Sequence, residues 1–428
     1  MDGDSYEKIP FGGFDLKVCV FNLGCKVNRY EADRLISLLK ARGCETSEEL
    51  CEADAYIINT CAVTNEAEKK SRQAVARALK LNPSAKILIC GCASQHNPEQ
   101  FSSISGVTFV KGVADKDAIV DHLFDKGTEV NALPLEYNEG GLISEGRTRA
   151  VIKIADGCNN FCSYCLIPFL RGRVRSRSSE EIRKEFDILR KTHDEIVLTG
   201  IDISSYGKDI GSSLGRLVTL LSDGKTRLRL GSLEVNVITR EFLDSVSQNS
   251  VFCDHFHLSL QSGSREVLKR MNRHYTPEAY LEAVDLIRSY YPEAAVTTDI
   301  IAGFPTETDE MHEETLAFAK EVAFADIHVF EYSLRNGTNA AKMEQVPSEI
   351  KGKRVDDLIA LKKELRNAYL SKFEGAERSV IFEDDGGYTS NYIRVYSDVP
   401  VPEGKLIPVV LTERYKDGFK CVSIENKP

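Results

Sequence analysis

From Leu16 onward, short apolar runs alternate with longer amphipathic ones, and this alternation limits the fold more than any other feature. LKVCVF (16–21), AYIINT (55–60), AKILICG (85–91) and GVTFVKG (106–112) read as strands. YEADRLISLLKARG (30–43), NEAEKKSRQAVARALKLN (65–82) and ADKDAIVDHLF (114–124) carry apolar residues at helical spacing. Strand then helix, repeated, calls for a parallel sheet wrapped by helices, an open Rossmann-like α/β domain over 15–128. Residues 125–148, with Gly127, Pro134, Gly140, Gly141 and Gly146, read as a linker.

A second, longer alternation starts at AVIKIADG (150–157). Its further strands are DEIVLTG (194–200), RLRLGSLE (227–234), HFHLSLQS (255–262), AAVTTDIIAGF (294–304) and ADIHVFEYS (325–333), with helix-like stretches between them. Six strand-helix units exceed an open mononucleotide fold and fall short of an eightfold barrel, so a partial (β/α)6 barrel is expected over 144–370. KGKRVDDLIALKKELRNAYLSKF (351–373) reads as one helix, and beyond Arg378 the chain turns to short β-rich pieces. A small all-β barrel over 371–428 fits them.

The twelve cysteines would suit disulfides in a small secreted protein, but MDGDSYEKIPFGGF has no basic start, apolar run or small-residue cleavage site. Reduced thiols in a cytoplasmic protein are expected, and no apolar window reaches the ~18 to 20 residues of a spanning helix. A net charge of −10 does not advertise a nucleic-acid binder, so a polyanionic partner must meet a local patch.

Cys158, Cys162 and Cys165, spaced C-x3-C-x2-C, follow the first strand of the second alternation, where their sulfurs can converge. A zinc knuckle lacking its fourth ligand and three unrelated thiols are the bland alternatives, and neither explains the spacing. A 4Fe-4S cluster on three thiolates leaves one iron open for a small molecule, which turns an electron carrier into a catalyst. In the first alternation, Cys25, Cys61 and Cys92 each follow the carboxyl end of an expected strand, the edge where open α/β sheets bind ligands. A second three-thiolate cluster or three ordinary buried cysteines both fit that placement. Cys90 lies two residues before Cys92 but belongs to the apolar run KILIC, which favours Cys92. Cys19, Cys44, Cys51, Cys253 and Cys421 have no partner at ligand spacing.

DGCNNFCSYCLIPFLRGRVRSR resembles the cluster loop of the radical S-adenosylmethionine enzymes, in particular their methylthiotransferase branch. The resemblance implies that the open iron takes the amino and carboxylate groups of S-adenosylmethionine, whose reductive cleavage releases a 5′-deoxyadenosyl radical. LGCKVNRYEAD, NTCAVTNEAEKKSR and GCASQ resemble the three cysteine motifs of that branch, which implies an auxiliary 4Fe-4S cluster on Cys25, Cys61 and Cys92. LQSGSREVLKRMNRHYT and TTDIIAGFPTET resemble segments lining the S-adenosylmethionine and substrate pocket. Gly200, Glu234, Ser259, Gln261, Gly303 and Phe304 are accordingly cofactor candidates at strand ends, alongside Asp202, Ser232, Asp299 and Pro305. The family pattern SSxEP reads GSLEV around Glu234.

Arg171, Arg173, Arg175 and Arg177 alternate directly after the cluster loop and would present phosphate-binding forks, unless they form a solvated loop balanced by Glu180 and Glu181. FEDDGGYTSNYIRVY resembles a TRAM domain, which implies a small barrel that grips tRNA, with Tyr388, Tyr392 and Arg394 as candidates for stacking or phosphate contact. Alternate residues of such a strand equally suit a core, and 371–428 carries eight basic against ten acidic residues. GCKVN with NTCAVTN is most similar to the branch that methylthiolates N6-threonylcarbamoyladenosine at tRNA position 37. The isopentenyladenosine branch more often shows GCQMN and an Arg after NTC-x-x, and the ribosomal-protein branch has a Pro after the first cysteine; here Lys26 and Thr64 stand at those places. The resemblance implies two S-adenosylmethionines per turnover, one donating methyl and one the radical, an electron donor such as a flavodoxin or ferredoxin, and a sulfur source. Methylthiolation of isopentenyladenosine or of a ribosomal protein, and a non-catalytic iron-sulfur redox protein, are the alternatives.

Overall fold

The computed structural model describes residues 16–140, 148–384 and 386–424, which fall into two units divided between Leu133 and Pro134. Part of the expected linker, 141–147, lies outside the described residues.

The first unit runs β1 (Lys17–Asn22), α1 (Lys26–Ala41), β2 (Glu45–Ser47), β3 (Ala55–Thr60), α2 (Asn65–Leu81), β4 (Lys86–Gly91), α3 (Cys92–His96), α4 (Pro98–Ser102), β5 (Val107–Lys111) and β6 (Gly127–Glu129). The six strands form one parallel sheet in the order β2-β1-β3-β4-β5-β6. β3 is buried along its whole length, as a central parallel strand covered on both faces should be. The helix-like stretch after Ala114 is a 3-10 turn over Lys116–His122, entered through Asp115 in the left-handed region. α1 begins at Lys26, earlier than its apolar period shows, because Cys25 takes the N-cap position directly after the first strand's turn.

The second unit runs β7 (Ala150–Asp156), α5 (Ile167–Arg171), β8 (Arg175–Ser176), α6 (Ser179–Leu189), β9 (Glu195–Gly200), α7 (Leu214–Leu221), β10 (Arg227–Leu230), α8 (Arg240–Ser247), β11 (His255–His257), α9 (Arg265–Arg270), α10 (Pro277–Tyr290), β12 (Ala295–Ala302), α11 (Asp309–Val322), β13 (Asp326–Glu331) and α12 (Ser348–Leu370). β10-β9-β7-β8 and β11-β12-β13 are joined by parallel bridges such as Leu233 to Leu258, which continues the six parallel strands into one curved wall. Its outer face packs Leu198, Leu228, Leu230, Val296 and Ile300 against helix residues including Phe186, Leu217, Tyr280 and Phe318. The alternate positions face inward and are polar, among them Glu195, Arg229, His257, Thr297 and Asp299.

β14 (Glu377–Glu383), β15 (Gly386–Tyr388), β16 (Arg394–Tyr396), β17 (Leu406–Tyr415) and β18 (Gly418–Ser423) close into a five-stranded barrel in the order β14-β15-β16-β18-β17. This small barrel packs across the amino-terminal ends of the large barrel's strands. Arg229 binds Glu195 through two nitrogens, at 2.7 and 3.2 Å, and donates to the Thr389 and Ser390 carbonyls, both at 3.0 Å. Arg227 donates to the Ser379 carbonyl at 2.6 Å, and Asp194 accepts from the Leu406 N–H at 3.0 Å. The Tyr392 ring stacks on His255, the first residue of β11, at 4.4 Å.

Candidate functional site

The loop after β7 is closed by backbone before any ligand is considered. Gly157 has φ +74, and a Cβ there would lie 2.0 Å from the Arg173 carbonyl, so the close approach needs glycine. The Cys158 N–H donates to the Gly172 carbonyl at 3.0 Å, and the Cys165 N–H to the Cys162 carbonyl at 3.0 Å. Asn272 donates to the Phe161 carbonyl at 3.0 Å, and the Ser163 N–H to the Met271 carbonyl at 2.9 Å, which pins the loop to the turn after α9.

Each sulfur of this loop meets an N–H donor: Asn160 N–H on Cys158 and Ile167 N–H on Cys165, both at 3.4 Å, and the Arg273 guanidinium on Cys162 at 3.2 Å. Such donors favour thiolate over thiol, the form iron binds. Burial pushes the Cys158 thiol up to about 12, so its thiolate needs metal as well as the Asn160 donor. Arg273 also reaches the Glu234 carboxylate and donates to the Ser259 carbonyl at 3.1 Å. Burial pushes the Glu234 carboxyl above its ordinary value against the pull of Arg273.

Asp202, two residues beyond β9, is buried, and neither carboxylate oxygen has a hydrogen-bond partner among the described residues. It lines a cleft with Asn160 of the cysteine loop, Ser204, Glu234 and Asn236. A buried carboxylate with nothing on either oxygen is costly unless a cation or donor arrives. A ligand carrying an ammonium or sulfonium and seated beside the cysteines meets that demand, so the residues present fit an iron-sulfur cluster with S-adenosylmethionine.

The other cofactor candidates sit around this loop and engage by backbone or by packing. Gly200 lets β9 approach β7, since a Cβ would lie 2.7 Å from the Ala155 carbonyl. Ser259 meets Arg273 through its carbonyl, and Gln261, with φ +69, exchanges main-chain bonds with Asp299 and Ile301. The Gly303 N–H donates to Glu307 at 2.8 Å. Phe304 is fully buried, edge-on to Tyr332 at 5.7 Å and to Tyr164, between Cys162 and Cys165, at 6.4 Å. It supports the loop from below.

The arginines divide by burial. Arg171 pairs with Asp156 at 3.0 Å, Arg175 donates to the Arg171 carbonyl at 2.7 Å, and Arg177 pairs with Glu185 at 2.5 Å, all three buried. Arg173 is exposed, over the Phe161 ring at 4.3 Å. Tyr388 stacks on Tyr392 at 4.6 Å, and Arg394 donates to the Tyr388 hydroxyl at 2.5 Å, so these three hold each other and the floor of the large barrel. Arg273 and its contact to Cys162 were missed from sequence, since a single arginine in LKRMNRHYT carries no spacing signal.

In the first unit, Cys25 caps α1 beyond β1, Cys61 follows β3, and Cys92 opens α3 beyond β4, and these three strands are neighbours. Thr60 and Gly91 are register partners, which sets Cys61 and Cys92 side by side at the carboxyl edge. Gly91 has φ +111, and a Cβ there would lie 2.4 Å from the Thr60 carbonyl. Cys90 lies in the core with Val20, Ile57 and Leu88, where burial pushes its thiol up to about 12. All twelve cysteines are free thiols.

The profile of the radical SAM superfamily matches residues 152–319, and that of uncharacterized protein family UPF0004 matches residues 17–112. The threonylcarbamoyladenosine tRNA methylthiotransferase MtaB of Bacillus subtilis is 39% identical, with 94% of this chain and 95% of that protein aligned. The MtaB of Thermotoga maritima is 38% identical over 86% of each. The chain belongs to the radical S-adenosylmethionine methylthiotransferase family. A tRNA-2-methylthio-N(6)-dimethylallyladenosine synthase of Clostridium botulinum, in the same family, is 34% identical over 84% of each chain. Among solved structures, the radical S-adenosylmethionine methyltransferase TsrM from Kitasatospora setae, with cobalamin and a [4Fe-4S] cluster bound, superposes with a TM-score of 0.53 at 14% identity over 74% of each chain, a likeness of fold.

Proposed function

We propose that the protein converts N6-threonylcarbamoyladenosine at position 37 of tRNA to its 2-methylthio form. The observation that carries this reading is the 39% identity across nearly the whole chain to a threonylcarbamoyladenosine tRNA methylthiotransferase, with both cysteine sets falling on sheet or barrel edges. Cys158, Cys162 and Cys165 hold one 4Fe-4S cluster, and Cys25, Cys61 and Cys92 hold an auxiliary one. A cluster on Cys158, Cys162 and Cys165 would hold S-adenosylmethionine, which would supply the radical chemistry at C2 of the adenine and, from a second molecule, the methyl group.

The chain's residues provide positioning. Asp202, with its two oxygens unpartnered beside the cysteine loop, would take the cationic part of the cofactor. Arg273 stabilises the Cys162 thiolate and ties the loop to Glu234 and Ser259. Exposed Arg173 is the arginine of its run placed to meet RNA phosphate. A one-electron carrier such as a flavodoxin or ferredoxin and a separate sulfur source complete the reaction, in the cytoplasm where tRNA is processed. No helix among the described residues is long and apolar enough to cross a membrane.

Mass spectrometry of tRNA nucleosides from the source organism, with the gene deleted and then restored, tests this. The expected result is loss of 2-methylthio-N6-threonylcarbamoyladenosine, accumulation of the unthiolated base, and reversal on restoration. Persistence of that nucleoside with loss of methylthio-isopentenyladenosine would overturn the substrate assignment.

A further inference from the structure

On the inner wall of the large barrel, two imidazoles share one carboxylate that no step above uses. His257, Asp299 and His328 come from β11, β12 and β13, three adjacent parallel strands, and Asp299 and His328 are register partners. Asp299 lies 3.3 Å from His257 Nε2 and 3.2 Å from His328 Nδ1, and the two rings stack with centroids 5.3 Å apart.

The two histidines differ in what remains to them. His257 is buried, and its Nδ1 lies 2.9 Å from the Thr297 hydroxyl, so both of its nitrogens are engaged. His328 has one nitrogen on Asp299, and its side chain is 52% exposed on β13, the last strand of its sheet. Its Nε2 is held at a fixed orientation and faces away from Asp299.

This group lies near the proposed chemistry. Ser259, whose carbonyl takes the Arg273 that contacts Cys162, is two residues beyond His257, roughly 7 Å along a strand. In adenine, C2 and the N6 substituent flank N1 on one edge of the ring, so a chamber that presents C2 also contains whatever N6 carries. On the substrate proposed above, that is a threonylcarbamoyl group with a carboxylate, whereas an isopentenyl group is wholly apolar. A hydrogen-bonded imidazole pair suits the first and leaves polar atoms unpaired against the second.

We propose that His328, oriented by Asp299 and backed by His257, donates from Nε2 to the threonyl carboxylate and so selects this base. The inference rests on the substrate reading. With Nδ1 turned to Asp299, Nε2 is the nitrogen left to meet the substrate carboxylate.

The test uses the reconstituted holoenzyme and two synthetic anticodon stem-loops, one with N6-threonylcarbamoyladenosine and one with the threonyl carboxylate replaced by a primary amide. The wild-type protein should show a KM lower for the acid by about tenfold or more. His328→Ala and His328→Gln should raise KM for the acid alone and abolish the preference. They should leave kcat, S-adenosylmethionine affinity and the EPR spectrum of the reduced clusters unchanged. Equal wild-type KM for both RNAs would overturn the inference while the substrate reading stands, as would an equal loss on both RNAs in the variants. Methylthiolation of neither RNA by the wild-type protein would overturn the substrate reading and the inference together.

Discussion

Two glycines decide whether the cysteine edges can close. At Gly157 and Gly91 an added Cβ would meet backbone carbonyls at 2.0 and 2.4 Å, and both residues lie in the left-handed half of φ space. Gly157→Ala and Gly91→Ala should each cost roughly 1–3 kcal/mol in urea unfolding and remove the iron of their own unit alone. Cys158→Ser and Cys61→Ser should each remove about half the iron and leave complementary EPR signals, while Cys90→Ala should leave both clusters. Unchanged iron in Cys61→Ser would refute the auxiliary cluster. The placement of the cysteines at strand ends was legible, since Cys158, Cys162 and Cys165 share one loop and Cys25, Cys61 and Cys92 each follow a readable apolar run. Arg171 and Arg175 read as exposed forks, since the Asp156 that buries Arg171 and the carbonyls that hold Arg175 become neighbours only when the loop folds back.

At the scale of elements, legibility followed burial. β3 was readable to the residue because its apolar run is continuous, whereas β2 and β6, three residues each and polar, bury nothing that would mark them. The contacts of the small barrel were unreadable, because Tyr392 finds His255, and Arg229 finds Thr389, only in three dimensions. Arg229→Ala would take the two nearest donors from the fully buried Glu195, leaving it Arg149 and Arg227 at 3.8 Å, and should cost about 3 kcal/mol, read from the urea midpoint. Burial alone would raise the Glu195 carboxyl, but Arg229, with Arg149 and Arg227, outweighs it and holds the group below its ordinary 4.5. A depressed carboxyl gives stability that is present above the unfolded value and lost as pH falls through the folded one. The urea midpoint should therefore drop on acidification below about pH 4.5, and Glu195→Gln should flatten part of that drop.

For the whole molecule, a net charge of −10 means RNA is not gathered by a general field. Contact must be local, and Arg173→Ala should weaken tRNA binding and lower its salt slope by about 1, measured by filter binding from low to moderate salt. The six-strand wall was foreseeable from the count of alternations, but the plug across its base was not. That plug has a consequence for traffic. With the amino-terminal ends of the strands covered, the way in lies over the carboxyl rim that carries the cysteine loop and Asp202, so cofactor and substrate use the same door.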